Sequence, residues 1–208
     1  SAKAKIKEAL SLRPERGVQW DAGTTFHPSD RFHVEAAYFE SRVLDQILLL
    51  QNSQRTVKAQ NLESAWVRGV ESSLFAALEW NALRAEWNAN VTWQEAKDVG
   101  RSRTYRGKAL PNLPEREGFL STRLVHGRWE LEWSAAARSP CYRDRYNTQT
   151  KKSPASHVHD FALERRILGQ ALRLRAEVRN LGDVRAEDVD GFPLPGRSYL
   201  MEATCTWH

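Results

Sequence analysis

The sequence predicts an all-β fold: an antiparallel up-and-down sheet of about nine strands that forms part of the wall of a transmembrane β-barrel. Apolar and polar residues alternate with a two-residue period over much of the chain. In a β-strand this period places the apolar side chains on one face and the polar side chains on the other. Very short turns alternate with long polar loops, as in a barrel with tight turns on one side of a membrane. No apolar run approaches the roughly 20 residues of a spanning helix, which excludes helical membrane proteins only.

The clearest alternation lies in residues 83–94. Many residue types there favour helices, but a helix would scatter the apolar residues around its surface, whereas a strand places them in one stripe. The period therefore predicts a strand. Its apolar stripe consists of Leu83, Ala85, Trp87, Ala89, Val91 and Trp93. Residues 172–178 and 199–207 alternate in the same way and form a closing hairpin.

The same reasoning gives the other elements in order. The predicted strands are 18–26, 32 to about 50, 64–80, 83–94, 118–125, 129–138, 157–167, 172–178 and 198 onwards. The predicted short turns are 27–31, 81–82, 126–128 and 169–170, and the long polar loops are 51–63, 97–117, 140–156 and 183–197. Phe75 breaks the alternation of the third strand and is expected to face the interior.

The two faces of these strands differ in character. Tryptophan and tyrosine cluster near strand ends, as in the aromatic girdles at the two surfaces of a membrane. The opposite face is charged and is expected to form the inner wall: Arg84, Glu86, Glu130, Glu132, Arg138, Arg173, Arg175, Glu177 and Arg179. The alternative is a soluble β-sandwich with its tryptophans in the core and its charged face in water.

Three motifs occur in order along the chain. They are Leu12-Arg13-Pro14-Glu15-Arg16, Asn61 with Gly69-Val70-Glu71, and Asn180-Leu181-Gly182-Asp183 followed by Pro193-Leu194-Pro195-Gly196-Arg197. Together they resemble the motifs of TonB-dependent outer-membrane receptors. The resemblance implies a plugged barrel in the cell outer membrane that imports a scarce solute, such as a ferric siderophore or a cobalamin-like chelate. It also implies a TonB-type energy transducer that acts through the plug.

The resemblance further implies that residues 1–208 are the C-terminal part of the barrel domain. Receptors of this kind have about 22 strands, so the remaining strands and the plug domain would come from elsewhere in the same chain or from a separate chain. The family normally ends in phenylalanine, so the native chain is expected to continue beyond His208.

Basic and aromatic residues in the long loops predict a ligand site. Flat amphipathic side chains beside positive charge suit a small anionic metal chelate. The candidate ligand-binding residues are Tyr105, Arg106, Lys108, Arg138, Tyr142 and Arg143. Ordinary solvation of these loops, or contact with anionic lipopolysaccharide, is the alternative.

The sequence shows no signature of an enzyme, a cofactor site or a metal site: it lacks a phosphate-binding glycine loop, zinc-ligand spacing and a nucleophile elbow. His157 and His159 could bind a metal, but His159 shares a face with Phe161, which favours an interfacial aromatic role. The net charge is +5, yet the basic residues are split among several loops, which argues against nucleic acid. The remaining alternatives are a passive or structural outer-membrane barrel component assembled with another chain, and a soluble β-rich binding module.

Overall fold

A single large antiparallel sheet dominates the structure. The computed structural model describes residues 12–51, 57–61, 64–167, 171–185, 187–189 and 192–206. Its strands are β1 (Arg16–Ser29), β2 (Phe32–Leu44), β3 (Ile47–Gln51), β4 (Val57–Asn61), β5 (Ser64–Trp80), β6 (Leu83–Asp98), β7 (Arg116–His126), β8 (Trp129–Arg138), β9 (Cys141–Tyr142), β10 (Lys152–Ser153), β11 (Ser156–Ile167), β12 (Leu172–Arg179), β13 (Glu187–Val189), β14 (Phe192–Pro193) and β15 (Ser198–Cys205). One turn of 3₁₀ helix spans Gln149–Lys151.

Nine strands form the large sheet in the order β1-β2-β5-β6-β7-β8-β11-β12-β15. Each strand pairs with the next one along the sheet in antiparallel register, and the six short strands form three separate pairs in the long connections. The all-β, up-and-down prediction is therefore confirmed. Because β1 and β15 stand at the two ends of this order, the described sheet is open and each has one free edge.

The second predicted strand was too long. β2 ends at Leu44, not near Leu50, because Asp45 adopts a φ of 56° and redirects the chain. Aspartate tolerates this left-handed conformation better than most residues. The following Ile47–Gln51 pairs with Val57–Asn61 instead of joining the sheet, so the expected loop 51–63 contains a strand. Other boundaries move less: β1 continues to Ser29, and the loop predicted at 97–117 shrinks to 99–115.

The register assigns the two faces. Ala89 pairs with Leu74 and Leu120, so the apolar stripe of β6 continues onto both neighbours. Glu86 pairs with Arg123, so its charged stripe continues onto β7. We call the charged side the inner face and the apolar side the outer face. Phe75 pairs with Asn88 and stacks on His33 at 5.1 Å between ring centroids, which confirms that it lies on the inner face.

The outer face has no second layer of structure on it in the described ranges. Large apolar side chains remain open there: Met201 is 87% exposed, Trp80 69% and Trp93 62%. The hydrophobic residues that are buried are few and mostly small: Ala65, Ala85, Ala96, Leu110, Cys141 and Ala162. A soluble sandwich would enclose its tryptophans, so this arrangement indicates that the outer face meets an apolar environment. No helix in the described part of the chain is long and apolar enough to span a membrane.

Gly69 gives a test of the sheet packing. A Cβ atom at Gly69 would collide with the Trp93 carbonyl oxygen and would lie 2.8 Å from the Phe39 ring. We expect Gly69→Ala to lower the free energy of unfolding by about 1–3 kcal/mol, the usual cost of overpacking. The measurement is the urea midpoint of the intact protein in detergent micelles.

Gly118 is the matched control, because it also lies in a strand but its added Cβ would be 3.8 Å from the nearest atom, the Asn90 carbonyl oxygen. Gly118→Ala should leave stability unchanged or raise it by about 0.4–1 kcal/mol through a less flexible unfolded chain. Equal midpoints for the two variants would contradict the close packing at Gly69.

Candidate functional site

The first two sequence motifs meet at the start of the sheet. The Asn61 side chain accepts a hydrogen bond from the Arg13 backbone N–H at 2.8 Å and donates to the Arg13 and Asp45 carbonyls at 2.9 and 2.5 Å. Arg13 also forms an ion pair with Asp45 at 2.6 Å, and Glu15 accepts from the Ile47 N–H. Asn61 therefore fixes the chain entering β1 against the base of the β3–β4 hairpin.

The third motif builds the closing turn. Asn180 is 6% exposed; its side chain donates to the Val184 carbonyl at 2.9 Å and accepts from the Val184 N–H at 2.8 Å. Asp183 accepts from the Arg197 N–H at 2.9 Å, and a Cβ atom at Gly196 would lie 2.8 Å from the Asp183 carboxylate. The Asn, Asp and Gly of the motif thus hold the two ends of the long final loop together.

Ion pairs cover the inner face near the short turns. Glu130 is buried and accepts hydrogen bonds from Arg123 at 2.6 Å and Arg166 at 3.2 Å. Arg175 bridges Glu132 at 2.5 Å and Glu177 at 3.4 Å. These pairs join side chains from β7, β8, β11 and β12, so the inner wall is polar, highly charged and mutually compensated.

Two of the long loops are joined to each other over the inner face. Leu110 of loop 99–115 packs against Ala65 and Ala96 on that face. The Asn147 side chain of loop 139–155 donates to the Ala109 carbonyl at 2.9 Å and accepts from the Ala109 N–H at 2.8 Å, as a neighbouring strand would. The loops therefore form one rim at the long-loop end of the sheet.

Aromatic and charged contacts reinforce this rim. The Tyr105 hydroxyl donates to the Tyr146 hydroxyl at 2.9 Å, and the Lys108 ammonium donates to the Tyr146 carbonyl at 2.6 Å. The Arg145 guanidinium lies over the Tyr105 ring at 3.9 Å and pairs with Asp98 at 3.0 Å. Tyr105 and Lys108, both candidates from the sequence, are thus brought together.

Arg138 and Arg143 lie at a second place on the rim. The Arg138 guanidinium donates to the Glu187 carbonyl at 2.9 Å, and Arg143 pairs with the Glu187 carboxylate at 2.7 Å. Both line a cavity of about 520 Å³, together with Arg185 and Asp183. We call this cavity the mouth hollow. Its three arginines exceed its two carboxylates, so it favours an anionic occupant.

The other two candidates lie apart from these groups. Tyr142 accepts a hydrogen bond from Gln149 at 2.9 Å, and its ring lies 4.9 Å from the Lys152 ammonium. Arg106 is exposed at the tip of the first loop. The six residues therefore occupy one rim but do not converge on one point.

The comparison with known families decides the identity of this sheet. The family model described as "TonB dependent receptor-like, beta-barrel" matches residues 7–181. The chain belongs to the TonB-dependent receptor family. This confirms the resemblance carried by the three motifs, and no curated protein sequence matches the receptor chain at a significant level.

Solved structures of receptors share the fold. The siderophore receptor PiuA from Acinetobacter baumannii matches 90% of the receptor chain with a TM-score of 0.72 and 18% identity. The ferric yersiniabactin uptake receptor FyuA from Yersinia pestis matches 91% of the chain, with a TM-score of 0.70 and 19% identity. The ferric citrate transporter FecA matches 96% of the chain, with a TM-score of 0.74 and 19% identity. The receptor chain spans 28%, 28% and 33% of the length of these three proteins.

Two groups on the rim of the receptor chain have shifted acidities. The hydrogen bond with Tyr146 raises the pKa of Tyr105, so the Tyr105 hydroxyl remains protonated at neutral pH. Burial opposes ionisation of Asp144, but hydrogen bonds from Thr148 and the nearby Lys151 hold the pKa of that carboxyl below its usual range. The rim contacts therefore persist across neutral pH.

Sequence reasoning missed several residues that build the rim, among them Tyr146, Asn147 and Arg185. Tyr146 and Asn147 lie in a loop, where no periodicity indicates a partner. Asn147 has a φ of 53°, and a turn is all that an isolated asparagine in a loop predicts. In the described residues no group of three or more His, Cys, Asp or Glu side chains is placed to hold a metal ion. His159 stacks on Trp133 at 5.9 Å, on the outer face.

Proposed function

We propose that the chain forms part of the barrel wall of an outer-membrane receptor that takes up a scarce solute in an energy-coupled way. The observation that carries the proposal is an open nine-stranded sheet with an apolar outer face, a charged inner face and joined loops at one end. Membership of the family supports it. The solute class is a metal chelate such as a ferric siderophore or a cobalamin-like compound.

The two open edges of the sheet indicate that further β-strands pair with it. β1 and β15 each have one unpaired edge among the described residues, and an unpaired edge strand inside a lipid bilayer would leave its backbone groups unsatisfied. We propose that further strands, in the same or a separate chain, complete the wall. A plug domain then packs on the charged inner face, and a TonB-type transducer acts through that plug.

The mouth hollow is the proposed contact for the chelate. Arginine offers paired donors that match carboxylate oxygens, and Arg138, Arg143 and Arg185 line the same cavity. We expect the double variant Arg138→Gln and Arg143→Gln to bind ferric citrate at least about tenfold more weakly, because charge-assisted hydrogen bonds contribute roughly 1.5–3 kcal/mol each. Quenching of tryptophan fluorescence in the intact purified protein measures the Kd.

Arg31→Gln is the matched control, since Arg31 lies at a short turn and pairs with Glu79 at 2.7 Å, at the opposite end of the sheet from the loops. The control should keep the wild-type Kd, and an unchanged Kd in the double variant would refute the assignment of the hollow. Energy coupling is tested separately: uptake of radioactive iron by cells should stop when an uncoupler collapses the proton gradient. Uptake that continues would indicate the passive barrel component instead.

A further inference from the structure

The outer face changes character towards the long loops in β1, β2, β5 and β6. One row across these strands is apolar and aromatic: Ala22, Tyr38, Val70 and Trp93. The next row is Trp20, Glu40, Arg68 and Glu95, and the row beyond it is Val18, Arg42, Trp66 and Lys97. Aromatic girdles mark the surface of a membrane. The two charged rows therefore lie at the level of lipid headgroups.

The two carboxylates of these rows are already engaged. Glu40 accepts hydrogen bonds from the Trp66 indole at 3.0 Å and the Tyr38 hydroxyl at 3.1 Å. Glu95 accepts from Arg68 at 2.8 Å and pairs with Lys97. The Arg42 side chain is 3.3 Å from Glu40 yet remains 72% exposed. The outer face here therefore has an excess of positive charge.

The next row of the outer face adds another cation beside a cavity. Arg16 lies level with Leu44 and is exposed. A cavity of about 670 Å³ is lined by both Arg16 and Arg42 and by the apolar side chains Val18, Leu44, Trp66 and Val99. We call it the outward hollow. Guanidinium groups bind phosphate oxygens through paired donors, and the apolar lining suits a hydrocarbon chain.

We propose that the outward hollow binds the phosphate-bearing headgroup of a lipid in the surrounding membrane. Arg16 and Arg42 contact the phosphate, and the first part of an acyl chain packs against Val18, Leu44 and Trp66. The hollow is continuous with the apolar outer face, so a membrane lipid reaches it without leaving the bilayer. The inference rests on the membrane placement in the proposed function.

Native mass spectrometry of the intact protein in detergent, titrated with diphosphoryl lipid A, tests the site. The double variant Arg16→Gln and Arg42→Gln should bind this lipid about 25-fold more weakly, on the order of fivefold for each cation near an anionic lipid. Arg31→Gln with Arg84→Gln is the control, because both arginines are exposed near the short turns. The control should keep the wild-type Kd.

Two further arms identify the source of the phosphate. Millimolar inorganic phosphate should not displace the lipid, and a dephosphorylated lipid A should bind the wild type as weakly as the double variant. Equal Kd values for the double variant and its control, or displacement by free phosphate, overturn the inference. Insertion of the protein into phosphatidylcholine vesicles separates the two proposals. If the protein inserts but binds phosphorylated and dephosphorylated lipid A equally well, this inference alone fails. If the protein does not insert at all, the membrane placement fails.

Discussion

Replacing Ala89 by arginine should lower the free energy of unfolding in lipid by about 2–4 kcal/mol, the cost of an arginine near the midplane of a bilayer. Ala89 lies on the outer face of β6 and pairs with Leu74 and Leu120, which lie on that face as well. It lies between Leu83, beside a short turn, and Trp93 in the girdle row. The measurement is urea unfolding of the intact protein in lipid vesicles, followed by tryptophan emission.

The neighbouring residue provides a control with the same substitution. Asn90 lies on the inner face, where it pairs with Ser73 and Phe119 and is exposed. Asn90→Arg should lower stability far less than Ala89→Arg, because the added cation lies on a polar, charged face and not in lipid. If both variants lose the same stability, the outer face does not contact lipid and the soluble β-rich module becomes the better interpretation.

The contrast between Ala89 and Asn90 also shows why the sheet could be predicted from the sequence. Each strand residue has only two possible directions, so a strict alternation fixes the face of every side chain once the period is known. β5 and β8 therefore begin and end where the sequence predicts, at 64–80 and 129–138. The aromatic residues at strand ends predict the level of the membrane in the same way, from residue type and position alone.

The hairpin of β3 and β4 could not be predicted in the same way. Residues 47–50 are consecutive apolar residues, and a continuous run has no period to assign a face or a partner. Only the φ of Asp45 and the hydrogen bonds of Asn61 separate this segment from β2. The first is a local backbone conformation and the second is a contact between distant residues, and neither changes the local hydrophobic pattern.

The contacts within the rim could not be predicted from the sequence either. Residue types correctly indicated cationic and aromatic loops, but Tyr105 meets Tyr146 across 41 positions of sequence. That contact depends on the bridge between Asn147 and Ala109, which closes the two loops together. A loop residue carries no register, so its partner follows from the backbone and not from composition. The assignment of these residues to ligand binding stays a prediction.

The inner wall gives the second large expected effect. Glu130→Ala should lower the free energy of unfolding by about 2–3 kcal/mol, somewhat below the roughly 3–5 kcal/mol for breaking a fully buried ion pair. The loss is large because Arg123 and Arg166 both bond to this buried carboxylate. It is smaller than the full value because Arg123 keeps Glu86 at 3.3 Å and Arg166 keeps Glu164 at 3.3 Å.

An exposed pair of the same chemistry is the control. Glu79 pairs with Arg31 at 2.7 Å, but its side chain is 47% exposed, whereas that of Glu130 is 8% exposed. Glu79→Ala should therefore cost under about 1 kcal/mol, as surface pairs do. Urea unfolding of the intact protein in vesicles compares the two variants, and equal losses would show that burial of Glu130 has no energetic consequence.

A double variant separates the lost attraction from the charge left behind. In Arg123→Met with Glu130→Leu, one cation and the anion are removed together, so less uncompensated charge remains beside the inner wall. This variant should be more stable than Glu130→Ala by about 1 kcal/mol or more, a non-additive result expected for residues in direct contact. If it is no more stable than the single variant, the charge left behind is not what destabilises Glu130→Ala, and the loss is that of the attraction between Glu130 and its arginines.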